Sequence, residues 1–81
     1  MTAIGQLRWQ CRRGVKELDI LLSRYLDQAF ATASSAERME FTQLLALQDP
    51  QLAAYLLAGD QPDSSGQQQL VQRIRTLAAT P

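Results

Sequence analysis

The chain has 81 residues, 46% of them hydrophobic and 20% charged, and its eight basic and eight acidic side chains cancel to a formal net charge of zero. That length makes one domain, burying about 60% of the surface that the unfolded chain exposes, and the balanced composition excludes a disordered acidic tail or a histone-like nucleic-acid binder. With no histidine and a single cysteine, Cys11, it also excludes a Ser-His-Asp triad, a Cys-His dyad, a zinc cluster of His or Cys ligands and an intrachain disulfide.

Residues 4–11, with Ile4, Leu7, Trp9 and Cys11, read as a short first helix. Gly14 interrupts the chain before the next segment. There Leu18, Leu22, Tyr25, Leu26, Ala29 and Phe30 recur at i, i+4, i+7, i+8, i+11 and i+12, which predicts a helix with one apolar stripe running through Phe30. Ser34 followed by Glu37 has capping-box spacing, in which each side chain satisfies an orphan backbone N–H. Phe41, Leu44 and Leu45 form the next stripe. Asp49-Pro50 predicts an N-cap followed by proline at the first helical position, where its missing N–H costs nothing.

Leu52, Tyr55 and Leu56 line a fourth helix, and Gly59 supplies its C-terminal stop. Gly59–Gly66 is the longest linker. Asp63, Ser64 or Ser65 is the expected cap of a last helix bearing Leu70, Ile74, Leu77 and Ala78. No segment alternates with period two, so no strand is expected. The expected fold is all-α, a compact single domain of about five short helices spanning residues 1–81.

The longest apolar run, Leu52–Ala58, falls far short of the ~20 residues a spanning helix needs. The N-terminus lacks the basic-then-apolar order of a secretory signal. A cytoplasmic location is therefore expected, with no membrane span.

The charges segregate. Residues 1–16 carry Arg8, Arg12, Arg13 and Lys16 and no acid, whereas all eight acids lie within residues 17–63. A basic patch this local reads as a contact surface. Within it, Arg13-Gly14-x-x-Glu17 stands out. Gly14 can adopt φ > 0 and admit another backbone. Glu17 falls in the first turn of a helix, where the macrodipole favours a carboxylate. The guanidinium of Arg13 suits bidentate capture of a carboxylate or phosphate.

A plainer reading makes Gly14 a turn residue and Arg13–Glu17 an exposed ion pair contributing roughly 0–1 kcal/mol. Trp9 reads as a half-buried anchor of the first helix or as an interface platform. Cys11 reads as a small buried hydrophobe or, beside Arg12 and Arg13, as a thiol of lowered pKa. Asp19, Asp27, Glu37 and Glu40 lack companions at metal-ligand spacing and read as a solvated face. There is no glycine-rich phosphate cradle.

Trp9-x-Cys11-Arg12-Arg13-Gly14-x-x-Glu17-Leu18-Asp19 resembles the signature of the succinate dehydrogenase flavinylation factors (the SdhE-type family), whose hallmark is R-G-x-x-E. Phe41-x-x-Leu44-Leu45 and Asp49-Pro50-x-Leu52-x-x-Tyr55-Leu56 resemble that family's later helices, so the likeness runs from about Ile4 to Ile74. Where the family often has tryptophan, this chain has Tyr55.

The resemblance implies an assembly factor that is not an enzyme and has no cofactor of its own. Such a factor binds the flavoprotein subunit of succinate dehydrogenase or fumarate reductase and promotes covalent bonding of FAD to a histidine of that partner. It also implies that Arg13, Gly14 and Glu17, flanked by Arg8, Trp9, Arg12 and Asp19, form the partner-binding surface; a monomer is expected because the apolar residues can all be assigned to one core. The rival readings are a helical protein-interaction or dimerisation module and a small nucleic-acid binder. Zero net charge and the acids soon after Glu17 weigh against the last.

Overall fold

The apolar stripes become helices. The computed structural model describes residues 3–79 and contains α1 (Ala3–Gln10), α2 (Lys16–Gln28), a 3-10 turn (Phe30–Thr32), α3 (Ser35–Leu45), α4 (Asp49–Leu56) and α5 (Ser65–Ala79). No strand occurs among the described residues. α5 packs across α2, α3 and α4, while α1 lies against α2 and α3. The fold is all-α, as the spacing predicts.

The stripes meet in one core. Leu18, Leu22 and Tyr25 of α2 face Phe41 and Leu44 of α3, Leu52 of α4, and Leu70 and Ile74 of α5. Tyr25 and Phe41 stack at 4.7 Å between ring centroids, and Phe30 tilts onto Phe41 at 5.7 Å. Such aromatic pairs contribute about 0.5–1.5 kcal/mol beyond the area they bury. The Tyr25 hydroxyl, carried to the core by this arrangement, donates to Glu37 Oε2, and Glu37 Oε1 accepts from Arg73 at 3.3 Å. Tyr55 is half-buried at the edge of the core, its backbone carbonyl held by Arg75.

Four local expectations are corrected. The stripe predicted through Phe30 is cut at Gln28, and Phe30 reaches the core from the 3-10 turn. The capping box is half made: Ser34 Oγ accepts from Glu37 N–H at 3.1 Å, but the Glu37 carboxylate is engaged by Tyr25 and Arg73. Gln48, not Asp49, is the N-cap of α4, because the Asp49 carboxylate is taken by a guanidinium 36 positions away. Gly66 belongs to the first turn of α5, so the linker ends at Ser64, whose Oγ accepts from Gln67 N–H at 3.2 Å. A methyl group on Gly66 would meet Glu40 Oε2 at 2.3 Å, so any larger residue here would have to push the Glu40 carboxylate aside.

Gly59 does end α4. It takes φ +89°, and the following N–H of Asp60 reaches back to the Ala54 carbonyl at 2.9 Å.

Candidate functional site, the corner between α1 and α2

Five residues separate the last residue of α1 from the first of α2, and the chain reverses there through Gly14 at φ +84°. An L side chain is disfavoured in that conformation. Yet, its two chain neighbours aside, no heavy atom of the described residues lies within 4 Å of where a Cβ would stand. Backbone geometry requires the glycine, and the space above it is open to an incoming molecule.

Val15 is extended and begins α2 without a side-chain cap. Lys16 and Glu17 follow, both exposed. The Glu17 carboxylate makes no hydrogen bond or ion pair among the described residues. It lies at the positive end of the helix dipole, where a carboxylate is stabilised without a partner. One turn on, Ile20 is 47% exposed, an apolar neighbour of Glu17 on the same helix face.

Arg13 points the other way. Its guanidinium donates from Nε to Asp49 Oδ1 at 2.9 Å, from Nη1 to the carbonyls of Leu45 at 2.9 Å and Gln10 at 3.2 Å, and from Nη2 to the Leu47 carbonyl. The exposed Arg13–Glu17 pair expected from the spacing is therefore replaced by a half-buried Arg13–Asp49 pair. The reason is competition. Carbonyls at helix C-termini and an acid at a helix N-terminus offer the guanidinium several acceptors at once, whereas Glu17 offers one in water. Asp19 also turns inward, accepting the Arg13 backbone N–H at 2.6 Å, so it is an anchor of the turn and not part of a solvated face.

The remaining residues lie outward. Trp9 is 71% exposed, not the half-buried anchor that the pattern of α1 suggests. The guanidinium carbon of Arg12 lies 5.8 Å from the Trp9 ring centroid. Gly5, Gln6, Trp9 and Gln10 line a shallow apolar depression along α1. Arg8 pairs with Asp27 at 2.7 Å across an exposed surface, a contact of roughly 0–1 kcal/mol.

Cys11 is fully buried, and burial pushes its thiol up to about 11 despite the nearby cations Arg8 and Arg13. It is a core residue, and the reading of it as an activated thiol is excluded at neutral pH.

The sequence-predicted site thus divides. Arg8, Trp9, Arg12, Gly14 and Glu17 lie on the surface, while Arg13 and Asp19 hold the turn from behind. Two participants escaped the sequence reading. Ile20 carried a signal, since it is apolar yet off the Leu18–Leu22–Tyr25 stripe. Asp49 carried none, because nothing local marks a pairing over so long a separation. Among the described residues no group of acids or cysteine could hold a metal ion, and no helix is long and apolar enough to cross a membrane.

Residues 5–78 match the family described as flavinator of succinate dehydrogenase. The chain is 39% identical to the FAD assembly factor SdhE of Coxiella burnetii over 95% of its own length and 94% of that protein's. It is 38% identical to the FAD assembly factor SdhE of Methylococcus capsulatus over 95% and 93%. It is 32% identical to that of Shewanella oneidensis over 94% and 93%. No solved structure is a significant match. With a match over nearly its whole length and relatives of the same span, the chain belongs to the flavinator of succinate dehydrogenase family.

Proposed function

We propose that this protein binds the flavoprotein subunit of succinate dehydrogenase and promotes covalent attachment of FAD to it, as an assembly factor and not as an enzyme. One observation carries the placement of the docking surface: a positive-φ glycine with open space above it sits three residues before a carboxylate that has no partner among the described residues. A free surface that pairs an unengaged acid with a backbone approachable to van der Waals distance is suited to receive another chain.

The division of labour follows from composition. A protein without histidine, whose single thiol is buried and protonated, lacks the usual nucleophiles and bases of covalent flavin chemistry. The reacting groups and the FAD then belong to the partner. The factor acts by differential binding, favouring the conformer of the flavoprotein competent for flavinylation by as much as its affinity for that conformer exceeds its affinity for others. Trp9 with its stacked Arg12 supplies an anchor of the kind that dominates interfaces. Arg12 and Lys16 attract an acidic region of the partner. The fumarate reductase flavoprotein is proposed as a second client, and the factor works as a monomer in the cytoplasm.

The test is covalent flavin on the succinate dehydrogenase flavoprotein, read by in-gel fluorescence, in cells lacking this protein and complemented with wild type or Glu17→Ala. Restoration by wild type alone is expected. Full flavinylation without the protein would refute the assembly role, and equal rescue by Glu17→Ala would remove the docking surface from this corner.

A further inference from the structure

We propose that Arg13 is a positioning residue and not a docking contact: by tying the ends of three helices together it holds Gly14 and Glu17 in the geometry the flavoprotein reads, with Asp49 and Asp19 sharing the task. The proposal rests on the docking role given to Gly14 and Glu17 above.

The first argument is donor capacity. A guanidinium has five N–H groups. The four hydrogen bonds of Arg13 to Asp49, Leu45, Gln10 and Leu47 use Nε–H, both Nη1 hydrogens and one Nη2 hydrogen. Bidentate capture of a partner's carboxylate needs two parallel donors, and one is left. The side chain is 15% exposed, and Asp49 already opposes its charge. What Arg13 could offer a partner is spent inside the chain.

The second argument is where the acceptors lie. Gln10 is the last residue of α1, Leu45 the last of α3, Leu47 sits in the α3–α4 connection, and Asp49 opens α4. The guanidinium thus meets the negative ends of two helices and the first acid of a third. On the main-chain side, the N–H of Arg13 is held by Asp19 of α2 at 2.6 Å. The residue before Gly14 is therefore fixed both through its side chain and through its backbone. Gly14 and Val15 are left to carry the chain from that fixed point into the first turn of α2, where Glu17 stands. Loosening the fixed point changes the spacing of the open glycine from the free carboxylate, without removing either.

The experiment measures binding of the FAD-loaded flavoprotein subunit to the full-length protein as wild type, Asp49→Asn, Glu17→Ala and the double variant. Amide hydrogen exchange over residues 13–17 and circular dichroism are followed in parallel. Asp49→Asn leaves Arg13 its three carbonyl acceptors, so the variant is expected to fold. Its affinity should fall about threefold to tenfold as the competent corner geometry becomes less populated, with faster exchange over residues 13–17. The double variant should lose less affinity than the two single losses multiplied together, because part of what Asp49 and Arg13 hold in place is Glu17 itself.

Losses that multiply in the double variant, or wild-type affinity in Asp49→Asn, overturn the proposal. Absence of wild-type binding overturns the docking reading and this proposal together, an outcome distinct from wild-type binding with multiplying losses.

Discussion

The guanidinium of Arg13 and the carboxylate of Asp49, 36 positions apart, meet at 2.9 Å and lock the start of α4 to the turn that precedes α2. Replacing Arg13 by alanine strips that acid of its partner and leaves the carbonyls of Leu45 and Leu47 to find water at a half-buried site. The expected loss is about 2–4 kcal/mol, a large share of the roughly 4–12 kcal/mol available to a chain of this size. Glu17→Ala, which removes a side chain with no partner, should stay within about 1 kcal/mol of wild type. Urea unfolding followed by circular dichroism measures both. Similar small losses for the two variants would contradict the assignment of Arg13 to the scaffold.

Gly14 separates backbone strain from partner contact. At φ +84° an L-alanine is strained by about 1–2 kcal/mol, although its methyl group would meet no described residue beyond its two chain neighbours. D-alanine prefers that conformation, so the D variant, made by chemical synthesis, should regain the stability that the L variant loses. If the flavoprotein packs onto this glycine, both variants should bind it more weakly, because the added methyl group occupies the partner's space. An L variant whose loss of affinity is no greater than its loss of stability explains, together with full affinity in the D variant, would show that nothing approaches Gly14 closely from either side.

Most of the architecture was legible in the sequence for one reason. The apolar spacing of α2 and the punctuation at Ser34, Gly59 and Ser64 are local signals, and they survive in the structure. The errors arose where a distant group outbid a local one. Asp49 forms no cap because Arg13 takes its carboxylate, and Glu37 does not complete the capping box because Tyr25 and Arg73 hold it. The same competition hid the intrachain partners of Arg13, whose neighbour Glu17 looked like its natural partner. Exposure is equally non-local. The short α1 buries Leu7, and Cys11 just beyond its end, but leaves Trp9 outside, and its sequence alone does not say which face the rest of the chain will cover.

Trp9 is the chain's single tryptophan and is 71% exposed, so its fluorescence reports the surface and not the core. In the folded protein its emission should already lie near that of a solvated indole, and acrylamide should quench it freely. Unfolding in urea should shift the emission little while circular dichroism is lost. Trp9→Ala should change stability by no more than about 0.5 kcal/mol and weaken flavoprotein binding, as loss of an exposed aromatic anchor does. A strongly blue-shifted emission in the free protein would place the indole in the core and withdraw it from the docking surface.

Cys11 supplies a pH dependence whose sign is fixed by burial. Desolvation is the larger influence and raises the thiol from 9.0 to about 11, with the cations Arg8 and Arg13 pulling it only partly back. The thiol therefore ionises more readily in the unfolded chain than in the folded one. Its contribution is fully present below pH ~9 and is lost as pH rises toward 11, because the unfolded state releases the proton first. Tyr25 acts in the same direction at still higher pH, its hydroxyl raised by burial first and by the hydrogen bond to Glu37 second. Stability measured by urea unfolding should thus be flat from neutrality to pH ~9 and fall beyond it. Cys11→Ala should be less stable at neutral pH, because a cavity replaces the sulfur, yet show a shallower decline between pH 9 and 11. The same burial makes the thiol a probe of opening. At pH 8 a disulfide reagent such as Ellman's should label it slowly, at a rate that rises with urea well before the unfolding midpoint if labelling proceeds through local opening of α1. Rapid labelling of the native protein, together with equal pH slopes for wild type and Cys11→Ala, would show that the thiol is solvated and that α1 does not cover it.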